Sequence, residues 1–138
     1  MDLDTALAWA ATRHNCVLIT LRRDGRAQSS DVSYTVEDGD LLISVTGDRA
    51  KTANMRRDDR VVVHITDPSS WSYLSFDGTV DLMAEAIEPD DATSNALVEY
   101  YKSVAGEHPD WDEYRRAMID ERRLIVRFTP SSVVGQTN

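Results

Sequence analysis

Cysteine is nearly missing from this chain: Cys16 stands alone among 138 residues, so no internal disulfide can form and a reducing, cytoplasmic setting is expected. Glycine and proline are sparse, at six and four residues, and the composition excludes fibrous and disordered classes. No apolar run approaches the roughly 20 residues a membrane helix needs, and MDLDTALAWAATRHN opens on acids instead of a basic leader segment. A soluble, non-membrane protein is expected. Catalytic signatures are missing too: there is no GxSxG, no HExxH, no Walker or dinucleotide glycine pattern, and no Cys/His spacing suited to a metal. His14, His64 and His108 lie far apart in sequence, at a helix end, on a strand face and in a loop before Pro109, so no metal is expected.

What is present is charge, unevenly spread. The formal net charge is -9, which disfavours a broad nucleic-acid surface, since such binding rests on neutralising phosphates. Nine of the fifteen Lys and Arg residues nevertheless fall in the first 60 positions, whereas residues 85 to 121 hold eleven acids and three bases. A small, locally bound anion fits that distribution better than a polymer.

The length suits one domain with a real core, read here as residues 1–138 with a helical insertion at about 90–121. Leu3, Ala6, Leu7 and Ala10 recur at helical spacing, which predicts a short helix over 4–12. CVLITLRR, Asp24-Gly25 and AQSSDVSYTV read as a hairpin; LLISVT and VVVHI read as two further strands. WSYLSFDGTVDLM alternates imperfectly around Gly78, the mark of a bulge where a barrel turns a corner. Two helices follow, one from about Asp90 to Val104 and one after Pro109, before RLIVRFTP as a last strand. The order predicts a mainly antiparallel β-barrel with helices inserted late.

Between the third and fourth strands lies GDRAKTANMRRDDR, with Arg49, Lys51, Arg56, Arg57 and Arg60 in fourteen positions. A short helix over Arg49 to Arg57 is predicted there. Its start exposes free backbone N–H groups beside Arg49, Lys51 and the Thr52 hydroxyl, a plausible phosphate cradle. Arg56, Arg57 and Arg60 are read mainly as a solvated face that pairs with Asp58 and Asp59.

DGRAQSSDVSY, LLISVTGDRAKTANMRRDDRVVVHI, WSYLSFDGTVDL and AGEHPDWDEYRRAMI together resemble the flavin/deazaflavin oxidoreductase branch of the pyridoxamine-phosphate-oxidase-like split β-barrel superfamily. More narrowly, they resemble the actinobacterial group that binds the deazaflavin coenzyme F420, over about Leu7 to Val134. The resemblance implies a homodimer with cofactor lodged between subunits. It gives the cofactor phosphate to Arg49, Lys51 and Thr52, and sets Gln28, Ser30, Val32 and Thr46 along the ring system. Arg57 would meet the anionic tail, while Trp71 and Tyr73 would line the shared cleft. Two departures stand out: the Gly47-Asp48 turn is short, and Asp48 sets a carboxylate near the phosphate unless it caps the helix and points away.

The activity implied is hydride transfer from reduced F420 to an electron-poor double bond of a small molecule, with no protein nucleophile required. Tyr34, Tyr73 or solvent would supply the accompanying proton, and no catalytic residue is singled out. Two alternatives remain open: FMN in place of F420, or a non-catalytic F420 or tetrapyrrole binder. Fold alone does not choose among them.

Overall fold

In the strand Arg60–Asp67 the side chains of Val61, Val63 and Ile65 are buried, while those of Val62, His64 and Thr66 lie outside the core. Inward side chains at that spacing in the other strands give the barrel one apolar lining, while Leu42 and Ile125 are buried on its outer side as well. The structure, a computed structural model describing residues 1–138, runs α1 (Leu3–Ala10), β1 (Asn15–Leu21), β2 (Ala27–Glu37), β3 (Asp40–Thr46), α2 (Ala50–Arg57) and β4 (Arg60–Asp67). A single 3-10 turn, Pro68–Ser70, leads to β5 (Ser72–Leu82), α3 (Ala92–Ala105), α4 (Trp111–Asp120) and β6 (Arg123–Gln136). All neighbouring strands are antiparallel, in the closed order β1-β2-β3-β6-β5-β4. The mainly β split-barrel class expected from the sequence is the class observed.

Helix α1 carries Ala6 and Ala10 into the main core, which also holds Leu18, Tyr34, Ile43, Phe76 and Phe128. Asp2 caps it by accepting from the Thr5 N–H at 2.7 Å. Tyr34 donates its hydroxyl to the Ala10 carbonyl at 2.6 Å, tying the helix to the barrel. That bond satisfies a buried carbonyl and removes Tyr34 from the candidates for proton donation.

A second, smaller core lies outside the barrel wall. Leu42 of β3 and Ile125 of β6 point outward beneath α3 and α4, which contribute Leu97, Val98 and Tyr114. The acid-rich stretch that includes these helices is partly capping chemistry: Asp91 accepts from the Ser94 N–H at 2.8 Å and Asp110 from the Glu113 N–H at 3.1 Å. Trp111 and Tyr114 pack against Tyr101 and His108 within this cluster.

The irregularity expected at Gly78 is present as a register shift between Asp77 and Gly78 in the β5–β6 ladder. A Cβ at Gly78 would run into the Thr129 carbonyl oxygen and sit 2.7 Å from the Phe128 ring. Backbone cannot yield as a side-chain tip would. Gly78→Ala is therefore expected to destabilise the fold by about 1–3 kcal/mol, read as a lower urea midpoint at unchanged slope. A midpoint equal to the parent's would show that the two strands separate at no cost.

Candidate cofactor cradle beside an open barrel seam

The β2–β3 ladder runs from Glu37↔Asp40 to Tyr34↔Ile43 and stops. Residues 27–33 of β2 pair only with β1, and Ser44 to Thr46 pair only with β6. The barrel thus has a seam where two strand edges face one another without a ladder. Helix α2 closes it from the end of the barrel: Met55 joins the core, while Asn54 Nδ2 donates to Thr20 Oγ1 at 3.1 Å and to Gln28 Oε1 at 3.2 Å.

The turn into α2 is short because there is no room for more side chain. The Gly47 N–H donates to the Arg122 carbonyl at 2.7 Å, and a Cβ on Gly47 would collide with the Glu85 carboxylate. Glu85 in turn accepts from Arg122 Nε at 2.7 Å and faces Arg56 at 3.6 Å. Arg122, ahead of Arg56, holds the Glu85 carboxyl below its ordinary range.

Arg49 is the N-cap residue of α2 and makes no side-chain cap bond, so Asp48 does not cap the helix. Asp48 is exposed. Its carboxyl is held below the usual range chiefly by the Thr46 hydroxyl, although no contact of Thr46 Oγ1 reaches hydrogen-bond geometry and that buried oxygen is left without a partner. A hydroxyl close to a carboxylate stabilises its charge even without a formed hydrogen bond.

Arg49 and Lys51 have neither an acid partner nor a side-chain hydrogen bond. Lys51 is half-buried, and its pKa is lowered first by that burial, then by Arg49 and by Arg123. The third cation was not apparent in the sequence: Arg123 is 72 positions away from Lys51 in the chain (123 − 51) and arrives as the cross-strand partner of Thr46. It is not free, since Glu121 accepts from its Nε at 3.1 Å, and its Nη1 reaches Ser44 Oγ at 3.4 Å.

The other expected site residues have the following surroundings in the fold. Thr52 is fully buried and donates its hydroxyl to the Thr46 carbonyl at 2.6 Å, so that hydrogen is used within the fold and does not face solvent. Arg57 does not pair with Asp58 or Asp59; it donates to the Leu21 carbonyl and to Asn54 Oδ1, both at 2.9 Å. It braces α2 against β1. Arg60 does pair with Asp58, at 2.8 Å. Gln28, Ser30 and Val32 oppose Thr20, Leu18 and Cys16, so they share the inward face of the sheet, and Gln28 is bound to Asn54. Trp71 and Tyr73 lie past the far end of β4 from α2. Eight residues of strand, about 26 Å at 3.3 Å each, separate the two ends.

Two shallow concavities are lined by none of Arg49, Lys51 and Arg123. One of about 640 Å³ is lined by His64, Trp71, Tyr73 and Gln136; another of about 460 Å³ by Val17, Asp31, Ser33 and His64. His64 stacks on Tyr73 with ring centroids 5.7 Å apart, and His14 Nδ1 lies 3.1 Å from the Tyr34 carbonyl.

A closed antiparallel barrel of six strands, with one seam open between its second and third strands, defines the class: a split β-barrel. The chain belongs to the pyridoxamine 5'-phosphate oxidase family, whose model matches residues 3–136. Among solved structures it is similar to a conserved hypothetical protein of Mycobacterium tuberculosis, at 19% identity over 99% of this chain and 85% of that one, with a TM-score of 0.78. A protein described as an F420 reductase matches at 19% identity over 91% and 94% of the two chains, TM-score 0.71. The heme storage protein HutZ of Vibrio cholerae matches at 14% identity over 97% and 94%, TM-score 0.70. At these identities the likeness is one of fold.

The Asn54 network generates a prediction. Asn54→Ala removes the amide that serves Thr20, Gln28 and Arg57 together, and is expected to cost about 1–3 kcal/mol in urea unfolding. A loss well below that range would mean that water replaces the amide and that α2 is held by Met55 packing alone.

Proposed function

We propose that the chain is an F420-dependent oxidoreductase that reduces an electron-poor double bond of a small molecule. The observation that carries this reading is the pair Arg49 and Lys51, left without acids at the first turn of α2 in a chain of net charge -9. Arg22, Arg23, Arg26 and Arg116 are unpaired too but fully at the surface; Lys51 differs in being half-buried at a helix start with Arg49 and Arg123 beside it, an arrangement that a bound anion relieves. The donor set fits a phosphate: a guanidinium fork, a half-buried ammonium, free N–H groups on the first turn, and the unpartnered Thr46 hydroxyl. The choice of deazaflavin rests on the sequence resemblance, and a fold similar to that of an F420 reductase is compatible with it.

A reduced deazaflavin, when bound, supplies the hydride. The chain's own residues do the rest. Arg49 and Lys51 fix the phosphate end, and the seam between β2 and β3 offers strand edges that hydrogen-bond a flat heterocycle. FMN carries the same phosphate, and the fold-level similarity to a heme storage protein keeps a tetrapyrrole in view.

The site is completed, in this reading, by a second copy of the chain. Val17, Ile19 and Val62 form an apolar outer face on β1 and β4, continued by Tyr73 and Val134, and Trp71 is 83% exposed. Trp71 also sits at φ 57°, a left-handed conformation that costs a bulky residue about 1–3 kcal/mol. Strain and exposure in one tryptophan are explained by a partner that covers it.

Fluorescence titration with oxidised F420, run beside FMN, tests the cofactor. Saturable F420 binding with weaker FMN binding is expected, and Lys51→Ala is expected to lose roughly ten- to a hundredfold in F420 affinity with unfolding unchanged. Equal affinity in that variant would remove the phosphate assignment, and preference for FMN would move the protein to flavin chemistry. By sedimentation, the protein is expected at twice its 15.5 kDa chain mass, with Trp71→Ala shifted toward that single mass. A monomeric parent would refute the shared site.

A further inference from the structure

Helix α3 does more than cover the second core. Tyr100 reaches from it to the point where the β2–β3 ladder stops, and its hydroxyl donates to the Ser33 carbonyl at 3.0 Å. In an antiparallel ladder the next pair after Tyr34↔Ile43 is Ser33 opposite Ser44. The Tyr34 N–H is turned toward β1, where it donates to the His14 carbonyl at 2.8 Å. Alternation then directs the Ser33 carbonyl and N–H toward β3, so Ser33 and Ser44 would exchange two backbone hydrogen bonds if the strands met. They do not meet; a phenol stands between them.

The surroundings of the hydroxyl agree. Burial raises the Tyr100 pKa, and the largest opposing influence is the backbone N–H of Ser44. Arg123 and its Ser44 contact lie next to it, linking the phenol to the cations of the cradle. On the other side Tyr100 borders a cleft of about 420 Å³ with Val36, Leu42 and Ile125, so the ring occupies a position that packing alone would allow it to leave. No residue in the sequence around Tyr100 announces this role.

We propose that Tyr100 is a wedge: it substitutes its hydroxyl for the missing Ser33–Ser44 backbone pair and so fixes where the seam begins. It is a positioning residue. The length of open strand edge limits how far a flat cofactor can enter from the phosphate end, and Tyr100 sets that limit. The structural part stands on the register and the Ser33 bond; its consequence for cofactor rests on the function proposed above.

Two substitutions separate the ring from the hydroxyl. Tyr100→Phe keeps the wedge but removes its hydrogen bond to the Ser33 carbonyl, and takes away the oxygen that the Ser44 N–H faces. Tyr100→Ala removes the wedge, and the ladder closes by one pair. Amide hydrogen exchange at Ser44 in the cofactor-free protein is expected to quicken by about fivefold or more in Tyr100→Phe and to slow in Tyr100→Ala. In titration with F420, affinity is expected to fall about tenfold in Tyr100→Ala and to stay within about threefold in Tyr100→Phe. Should Tyr100→Ala not fold, the Tyr100→Phe exchange rate decides by itself. Ser44 exchange unchanged in the variants would overturn the wedge. If the unmodified protein bound neither F420 nor FMN while the exchange rates moved as stated, the cofactor reading would fail and the wedge would stand.

Discussion

Every strand edge in a barrel needs a neighbour, and here one stretch has none: residues 27–33 of β2 and 44–46 of β3 face each other without pairing. Backbone N–H and C=O groups in such a place require other partners. Two helices supply partners for two of these carbonyls and hold the seam's inner side chains. Thr52 of α2 donates to the Thr46 carbonyl, Tyr100 of α3 to the Ser33 carbonyl, and Asn54 joins α2 to the inward faces of β1 and β2. Both helices are therefore part of the barrel wall.

Charge follows the same division. The acids of the helical insertion are largely local, serving caps such as Asp91 and Asp110 or simply solvating an outer face. The bases around α2 divide by function. Arg57 and Arg60 are used internally, and Arg56 faces Glu85, whose carboxylate also packs the Gly47 turn. Arg49 and Lys51 remain without acids while Arg123 is brought up beside them. Like charges gathered with one of them half-buried are unfavourable by themselves. That arrangement persists because the β3–β6 register and the Glu85–Gly47 contact hold it, and it leaves an unmet demand for an anion.

The two outer faces of the barrel also differ. One is covered by α3 and α4 over Leu42 and Ile125. The other, across β1 and β4, keeps Val17, Ile19 and Val62 near the surface with Trp71 beyond them. In a single chain the Trp71 end and the α2 end do not meet.

The element order was readable because it rests on local rules: period-two alternation in VVVHI, Asp-Gly turns, and apolar spacing in the two late helices. The bulge at Gly78 and the cationic helix start were legible for the same reason, as breaks in a pattern. The assignments to Thr52, Arg57, Gln28, Ser30 and Val32 concerned side-chain direction, which depends on register and on what lies across the barrel. No spacing within GDRAKTANMRRDDR tells which hydroxyl turns inward or which guanidinium braces a neighbouring strand. Arg123 and Tyr100 were invisible, because each reaches the cradle through long-range pairing of β6 or docking of α3. By itself, then, the sequence determined a barrel of antiparallel strands with a basic helix start. Only the tertiary structure decided where the ladder opens and which charges stay free, since both are set by contacts between residues far apart in the chain.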